Sequence, residues 1–220
     1  MLFSGSDLKG FRVDATDGEA GSVRDLYLDD IAWAVRYVVI EGGTRLSGRK
    51  FLACTAVLTL PDLETKRLSL RLSSARLANS PDVEATPSLS RNCEAELAGY
   101  FGGPRYWEVC TGGQPRLRSA EDVSGYLVRA TDGETGSVSD FLIGSNWNVE
   151  YLIVKLRPLL PGGRVVVESR WISGLNAAAR QICISLPKHV IQGGPEYAGE
   201  LLEDQASLVR RYYAAWRAAA

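Results

Sequence analysis

Six acids fall between residues 14 and 30, Asp14, Asp17, Glu19, Asp25, Asp29 and Asp30. Several carboxylate oxygens at short spacing are what a hard cation such as calcium requires. The same stretch is met again further on, and there Arg129 stands in the place of Asp14, with Gly144 and Ser145 in those of Asp29 and Asp30. A metal role shared by both copies is therefore not expected, and no metal ligand is assigned. His189 is the single histidine, and no serine or cysteine stands near it in a triad pattern. Cys54, Cys93, Cys110 and Cys183 are widely spaced with no C-x-x-C pair, so they read as free thiols packed like small hydrophobes. The glycine-rich pieces Glu41-Gly42-Gly43-Thr44 and Leu160-Pro161-Gly162-Gly163-Arg164 lack the spacing of a phosphate loop and read as inter-strand loops. No catalytic residue and no cofactor is assigned.

The acids sit in an internal repeat, which sets the elements that position them. Residues 7–26 align without a gap on residues 122–141. Twelve of twenty positions are identical: Asp7, Gly10, Val13, Ala15, Thr16, Asp17, Gly18, Glu19, Gly21, Ser22, Val23 and Asp25 each recur 115 positions later. Chance gives one or two, so the chain carries a duplication. With one residue dropped, Trp33 to Ile40 lies over Trp147 to Val154, and Lys66 to Leu77 over Arg180 to Ile191. Each copy closes with a proline triplet, Ser80-Pro81-Asp82 and Gly194-Pro195-Glu196.

Each copy reads as short strands. Phe11 to Thr16 alternates at strand period, and Asp17-Gly18, repeated as Asp132-Gly133, is the dipeptide that best tolerates a tight hairpin turn into Gly21 to Leu28. Val35 to Glu41, Lys50 to Cys54 and Arg67 to Leu72 follow as further strands. The pattern predicts a mainly β protein of two units in tandem, each a sandwich or a small barrel and each followed by a short helical tail. The first unit is expected over 1–119, with its barrel at about 5–84 and a tail and linker over 85–119. The second is expected over 120–220, with its barrel at about 120–198 and a helical tail over 199–220. A helix is expected from Arg91 to Tyr100, capped by Ser90 and stopped by Gly102-Gly103-Pro104.

The pattern D-L-x-G-x-x-V-x-x-x-D-G-E-x-G-x-V-x-D resembles the PRC-barrel family. So do the W-x-V-x-Y strand that follows it, the Gly-Arg-hydrophobic strand and the closing Pro-Asp or Pro-Glu. It occurs from Asp7 to Asp25, Trp33 to Ile40, Gly48 to Leu52 and Ser80 to Asp82, and again from Asp122 to Asp140, Trp147 to Val154, Gly163 to Val167 and Gly194 to Glu196. The resemblance implies two small, mainly antiparallel PRC-barrel-like β-barrels in tandem, used as interaction modules, as in the cytoplasmic domain of the photosynthetic reaction-centre H subunit and the C-terminal domain of the 16S rRNA maturation factor. It brings no catalytic residues with it. Residues 1–220 show no counterpart of the former's membrane helix or of the latter's separate N-terminal domain, so neither membrane attachment nor a ribosomal role is expected from the resemblance.

A net charge of −1 gives no field to gather nucleic acid. Residues 1–119 carry 15 basic and 15 acidic side chains and residues 120–220 carry 10 and 11, so neither half is basic and nucleic acid is not an expected partner. No stretch has the apolar length of a transmembrane segment, and MLFSGSDLKG lacks the marks of a signal peptide, so a cytoplasmic protein is expected. The remaining candidates are the tail aromatics Tyr100, Phe101, Tyr106 and Trp107, then Tyr212, Tyr213 and Trp216, which either staple each tail to its barrel or form an interface. The expected function is a non-enzymatic adaptor or scaffold that binds a protein partner or itself. Ligand binding or catalysis in a cleft between the barrels is the alternative, and an RNA- or ribosome-associated factor the second.

Overall fold

The computed structural model describes residues 1–46, 48–82, 89–111, 113–156 and 163–217. The strands are β1 (Leu2–Ser4), β2 (Arg12–Ala15), β3 (Gly18–Asp29), β4 (Val35–Gly42), β5 (Lys50–Cys54), β6 (Arg67–Ser69) and β7 (Leu117–Ser119), then β8 (Leu127–Ala130), β9 (Gly133–Gly144), β10 (Val149–Leu156), β11 (Arg164–Glu168), β12 (Ile172–Asn176) and β13 (Gln181–Ile184). The helices are α1 (Ser74–Ala78), α2 (Arg91–Phe101), α3 (Ala120–Val123), α4 (Lys188–Gln192) and α5 (Glu203–Arg217). The chain divides into two compact units. One comprises Met1, Phe3–Glu121 and Ser145–Asn148, and the other Leu2, Asp122–Gly144 and Val149–Ala220.

In the first unit the strand order is β5-β4-β3-β2-β6, with β7 added to β3. The sequence of β4 explains its central place: Tyr37, Val38, Val39 and Ile40 are buried in succession, as in a strand covered on both faces. β2, β3, β4 and β5 pair antiparallel in turn, whereas β6 lies parallel to β2, with Arg12 opposite Arg67 and Asp14 opposite Ser69. The second unit repeats this as β11-β10-β9-β8-β13-β12, with β13 parallel to β8. The sheets are thus mixed, not antiparallel throughout. An even number of chain reversals separates β2 from β6, which returns the chain in its starting sense. Among the described residues neither strand order comes back on itself, so the tandem closed barrels expected from the sequence are not seen there.

The two units agree in detail. Arg24 and Ser139 are the extra residues of bulges at the same point of β3 and β9, and Arg36 and Glu150 are those of a second bulge in β4 and β10. Among the described residues four other than glycine have positive φ, and they are two repeated pairs, Trp33 (53°) with Trp147 (64°) and Lys66 (53°) with Arg180 (49°). Each basic residue turns the chain into the strand parallel to β2 or β8, and its carbonyl accepts from Arg12 N–H (3.0 Å) or Leu127 N–H (2.9 Å). Both tryptophans are buried.

The repeated glycine at Gly21 and Gly136 is required by a close approach of backbone. A Cβ on Gly21 would stand 2.1 Å from the Glu41 carbonyl oxygen, and one on Gly136 would stand 2.3 Å from that of Lys155. Gly21→Ala and Gly136→Ala are each expected to cost about 3 kcal/mol in chemical denaturation, because strand backbone has to move. Gly99→Ala on α2 meets open space and is expected to stabilise by about 0.5–1 kcal/mol in the same assay.

Candidate functional site

Asp17 and Asp132 do more than turn a hairpin. Ala15 pairs with Gly18 and Ala130 with Gly133, so Thr16-Asp17 and Thr131-Asp132 are the turn residues, and each glycine opens the following strand with φ near 130°. The Asp17 carboxylate accepts from the backbone N–H (2.7 Å) and hydroxyl (2.9 Å) of Ser74, the first residue of α1. Asp132 does the same for α4, accepting the Lys188 N–H at 2.7 Å. One carboxylate per unit therefore ties the hairpin to the N-terminus of a helix 57 or 56 residues away, where free amide donors favour negative charge.

The tail aromatics are held inside their own units. α2 starts at its Ser90 cap, whose hydroxyl accepts the Cys93 N–H, and ends at Gly102 in left-handed conformation. Phe101 and Tyr106 are buried. Tyr100 stands edge-on to Phe101 and donates its hydroxyl to the Arg76 carbonyl at 2.7 Å. Trp107 stands edge-on to Tyr106 and lies under the Arg91 guanidinium at 4.9 Å. On α5, Tyr213 is fully buried and donates to the Val166 carbonyl (2.9 Å), while Tyr212 donates to that of Val190 (2.8 Å). Trp216 rests edge-on against the ring of His189, which is otherwise exposed. Tyr100, Trp107, Tyr212 and Trp216 keep part of their surface open to solvent.

The first unit also contains a buried chain of charges that the sequence does not announce. Asp29 is fully buried and pairs with Arg36, whose Nε and a terminal nitrogen each lie 2.7 Å from Oδ2. The bulge in β4 aims Arg36 at this partner, and its guanidinium lies 4.2 Å from the centre of the Tyr106 ring. The Tyr106 hydroxyl donates to Glu94, itself buried, and Arg91 pairs with the other Glu94 oxygen at 3.0 Å. Arg91 also donates to the Pro115 carbonyl. Dehydration pushes the Glu94 carboxyl above its ordinary pKa, although Tyr106, Arg91 and Arg36 pull the other way. Burial likewise raises the Tyr106 and Tyr37 phenols and the Cys54 thiol. The chain of contacts locks α2 and the following turn onto the sheet.

The second unit does not reproduce it, since Gly144 and Glu150 occupy the positions of Asp29 and Arg36. There the buried acids come from the sheet, Asp140 in β9 and Glu168 in β11. Glu168, opposite Tyr151 as Cys54 is opposite Tyr37, pairs with Arg170, and its other oxygen has no partner among the described residues.

The acids of the opening stretch are dispersed. Asp14 pairs with Arg67, Asp25 accepts from Ser119, Asp29 pairs with Arg36, and Asp30 holds Arg118 through two nitrogens. Among the described residues no group of three or more acids, cysteines and histidine is placed to hold a metal ion. Among them also, no helix is long and apolar enough to cross a membrane. Residues 160–162 of the second glycine-rich piece lie outside the described residues.

Asp29→Ala leaves Arg36 without its buried partner and is expected to cost about 3–5 kcal/mol, read by denaturant melts. Glu94 supplies a pH test. Its raised pKa means that the folded state keeps a proton that the unfolded state has lost, so stability falls as pH rises from the ordinary carboxyl value through the folded one. Glu94→Gln keeps an acceptor for Tyr106 and removes the titration, and the pH slope of its melting temperature is expected to flatten in that window.

No protein-family model matches the chain, and no curated protein matches it in sequence.

Proposed function

We propose that the chain is a non-enzymatic interaction or assembly module made of two PRC-barrel-like units. The observation that carries this reading is what the two units have in common. They share strand order, bulge positions, two pairs of left-handed residues and the Asp17/Asp132 tie, all of which are features of backbone shape. They do not share their charged pairs: the buried Asp29 and its partner Arg36 give way to Gly144 and Glu150, and the exposed Asp14–Arg67 pair has Arg129 and Gln181 in its place. A reaction run by both copies would need the same reactive groups in each, whereas a surface presented by a common frame does not. The resemblance of both repeats to the PRC-barrel family supports the same reading, with a protein partner or a second copy as the ligand.

The test is the solution mass of the full chain by light scattering over a wide concentration range, together with affinity capture from the host. The expected result is a mass above 23.9 kDa or a stoichiometric protein partner. A strictly monomeric chain that retains no partner overturns the reading.

A further inference from the structure

One stretch of five residues is identical in the two units: Ala15-Thr16-Asp17-Gly18-Glu19 recurs as Ala130-Thr131-Asp132-Gly133-Glu134. Besides turning a hairpin, Asp-Gly is the dipeptide most open to an internal reaction. The amide nitrogen of the glycine attacks Cγ of the aspartate, and with no Cβ on the glycine nothing hinders the approach. Identical neighbours give the two dipeptides the same intrinsic reactivity. Any difference between them in the folded chain therefore comes from what holds each carboxyl group, and there the units differ.

Both aspartates are exposed and stand at the same point of the hairpin, before a glycine with φ of 130° at Gly18 and 128° at Gly133. In the first unit Oδ1 of Asp17 accepts twice from one residue, from the Ser74 N–H at 2.7 Å and the Ser74 hydroxyl at 2.9 Å. Turning that carboxyl toward the Gly18 nitrogen breaks both bonds. In the second unit Lys188 stands in the place of Ser74 and has no hydroxyl. Oδ1 of Asp132 keeps one hydrogen bond among the described residues, from the Lys188 N–H at 2.7 Å. The lysine also adds a charge. A Cβ on Gly133 would stand 3.3 Å from Lys188 Nζ, so the ammonium lies over the glycine whose nitrogen attacks. A cation beside that peptide favours loss of its amide proton, which makes the nitrogen the nucleophile.

We infer that Asp132-Gly133 is a site of spontaneous isoaspartate formation, and that the same dipeptide at Asp17-Gly18 is protected by the Ser74 hydroxyl. The Gly133 nitrogen bonds to Cγ of Asp132, and one carboxylate oxygen leaves as water, taking the amide proton and one proton from solvent. The product is a five-membered imide. Water then opens the ring at either carbonyl. Opening at Cγ restores aspartate, whereas opening at the main-chain carbonyl leaves the chain running through Cβ and Cγ, and nothing is oxidised or reduced. The consequence falls on α4. That helix follows Pro187, which gives no side-chain cap, whereas α1 has Ser73 accepting the Arg76 N–H. After isomerisation the carboxylate of residue 132 sits directly on Cα, out of reach of the Lys188 N–H, and α4 loses its tie to the hairpin.

The experiment ages the full chain at neutral pH and body temperature, once folded and once in denaturant. Peptide mapping with electron-transfer fragmentation, which separates isoaspartate from aspartate, then reads each position. In denaturant the two positions are expected to isomerise at equal rates, and in the folded chain Asp132 several-fold faster than Asp17. Lys188→Ser is expected to bring the folded rate at Asp132 down toward that at Asp17, and Ser74→Ala to bring the rate at Asp17 up, with the rates in denaturant unchanged. Either variant carries the test should the other fail to fold. Hydrogen exchange over residues 188–192 is expected to quicken in the aged fraction while residues 74–78 keep their protection. Equal rates in the folded chain, a faster Asp17, or isoaspartate at neither position overturns the inference. A folded variant that leaves both rates as in the wild type overturns the part given to Ser74 and Lys188.

Discussion

Each unit has to bring its chain back beside the strand on which it started. β6 lies parallel to β2, and β13 to β8, and a parallel neighbour cannot be reached by a tight turn. In most folds a helix makes that crossover. Here it is made by three further strands of the same sheet, which must bend enough to deliver the chain to the far edge. The paired bulges at Arg24 and Ser139 and at Arg36 and Glu150 serve that bending. So do the glycines that let β3 and β9 approach the neighbouring carbonyl, and the left-handed Lys66 and Arg180 just before the returning strand. Asp17 and Asp132 then fasten the helix that follows it to the hairpin where the circuit began.

Much of this frame was legible in the residues. Alternation and β-branched runs located the principal strands, because those signals are local. Ser90 announced the start of α2 because a hydroxyl there meets an amide three residues on, another local event. The repeat was legible as identity, and its twelve retained positions in twenty include the glycines at the close approaches. The job of Asp17 was not legible. A retained Asp-Gly is fully accounted for by a turn, and nothing nearby reveals that the carboxylate will meet Ser74. Helices α1 and α4 were missed since five residues give no periodicity to read. The parallel pairing was missed for a related reason: it depends on the sum of all intervening reversals, not on any one stretch.

The buried charges mark the other limit of local reading. Glu94 looks like a first-turn acid placed for the helix dipole, and Asp29 like one of a surface cluster. Both are buried, and each is kept there by an arginine that stacks on or beside Tyr106. Such a network costs dehydration and returns geometry, since few orientations of α2 satisfy Tyr106, Arg91 and Arg36 together. In the second unit α5 is fixed differently, by phenol hydroxyls on carbonyl oxygens. One frame thus tolerates two ways of seating a helix, and this leaves the side chains around it free to diverge.

The Asp14–Arg67 ion pair has a meaning beyond the unit that contains it. A chain with two near-identical hairpins offers each returning strand two places to dock while it folds, and exchange between repeats is a common failure of such chains. If the hairpin of the second copy entered the first sheet, Arg129 would stand where Asp14 stands, against Arg67. Two cations would meet in place of a salt bridge. The pair is exposed and adds little to the finished fold. Its value is as an address, keeping the hairpin of the second copy out of the first sheet while both are still forming.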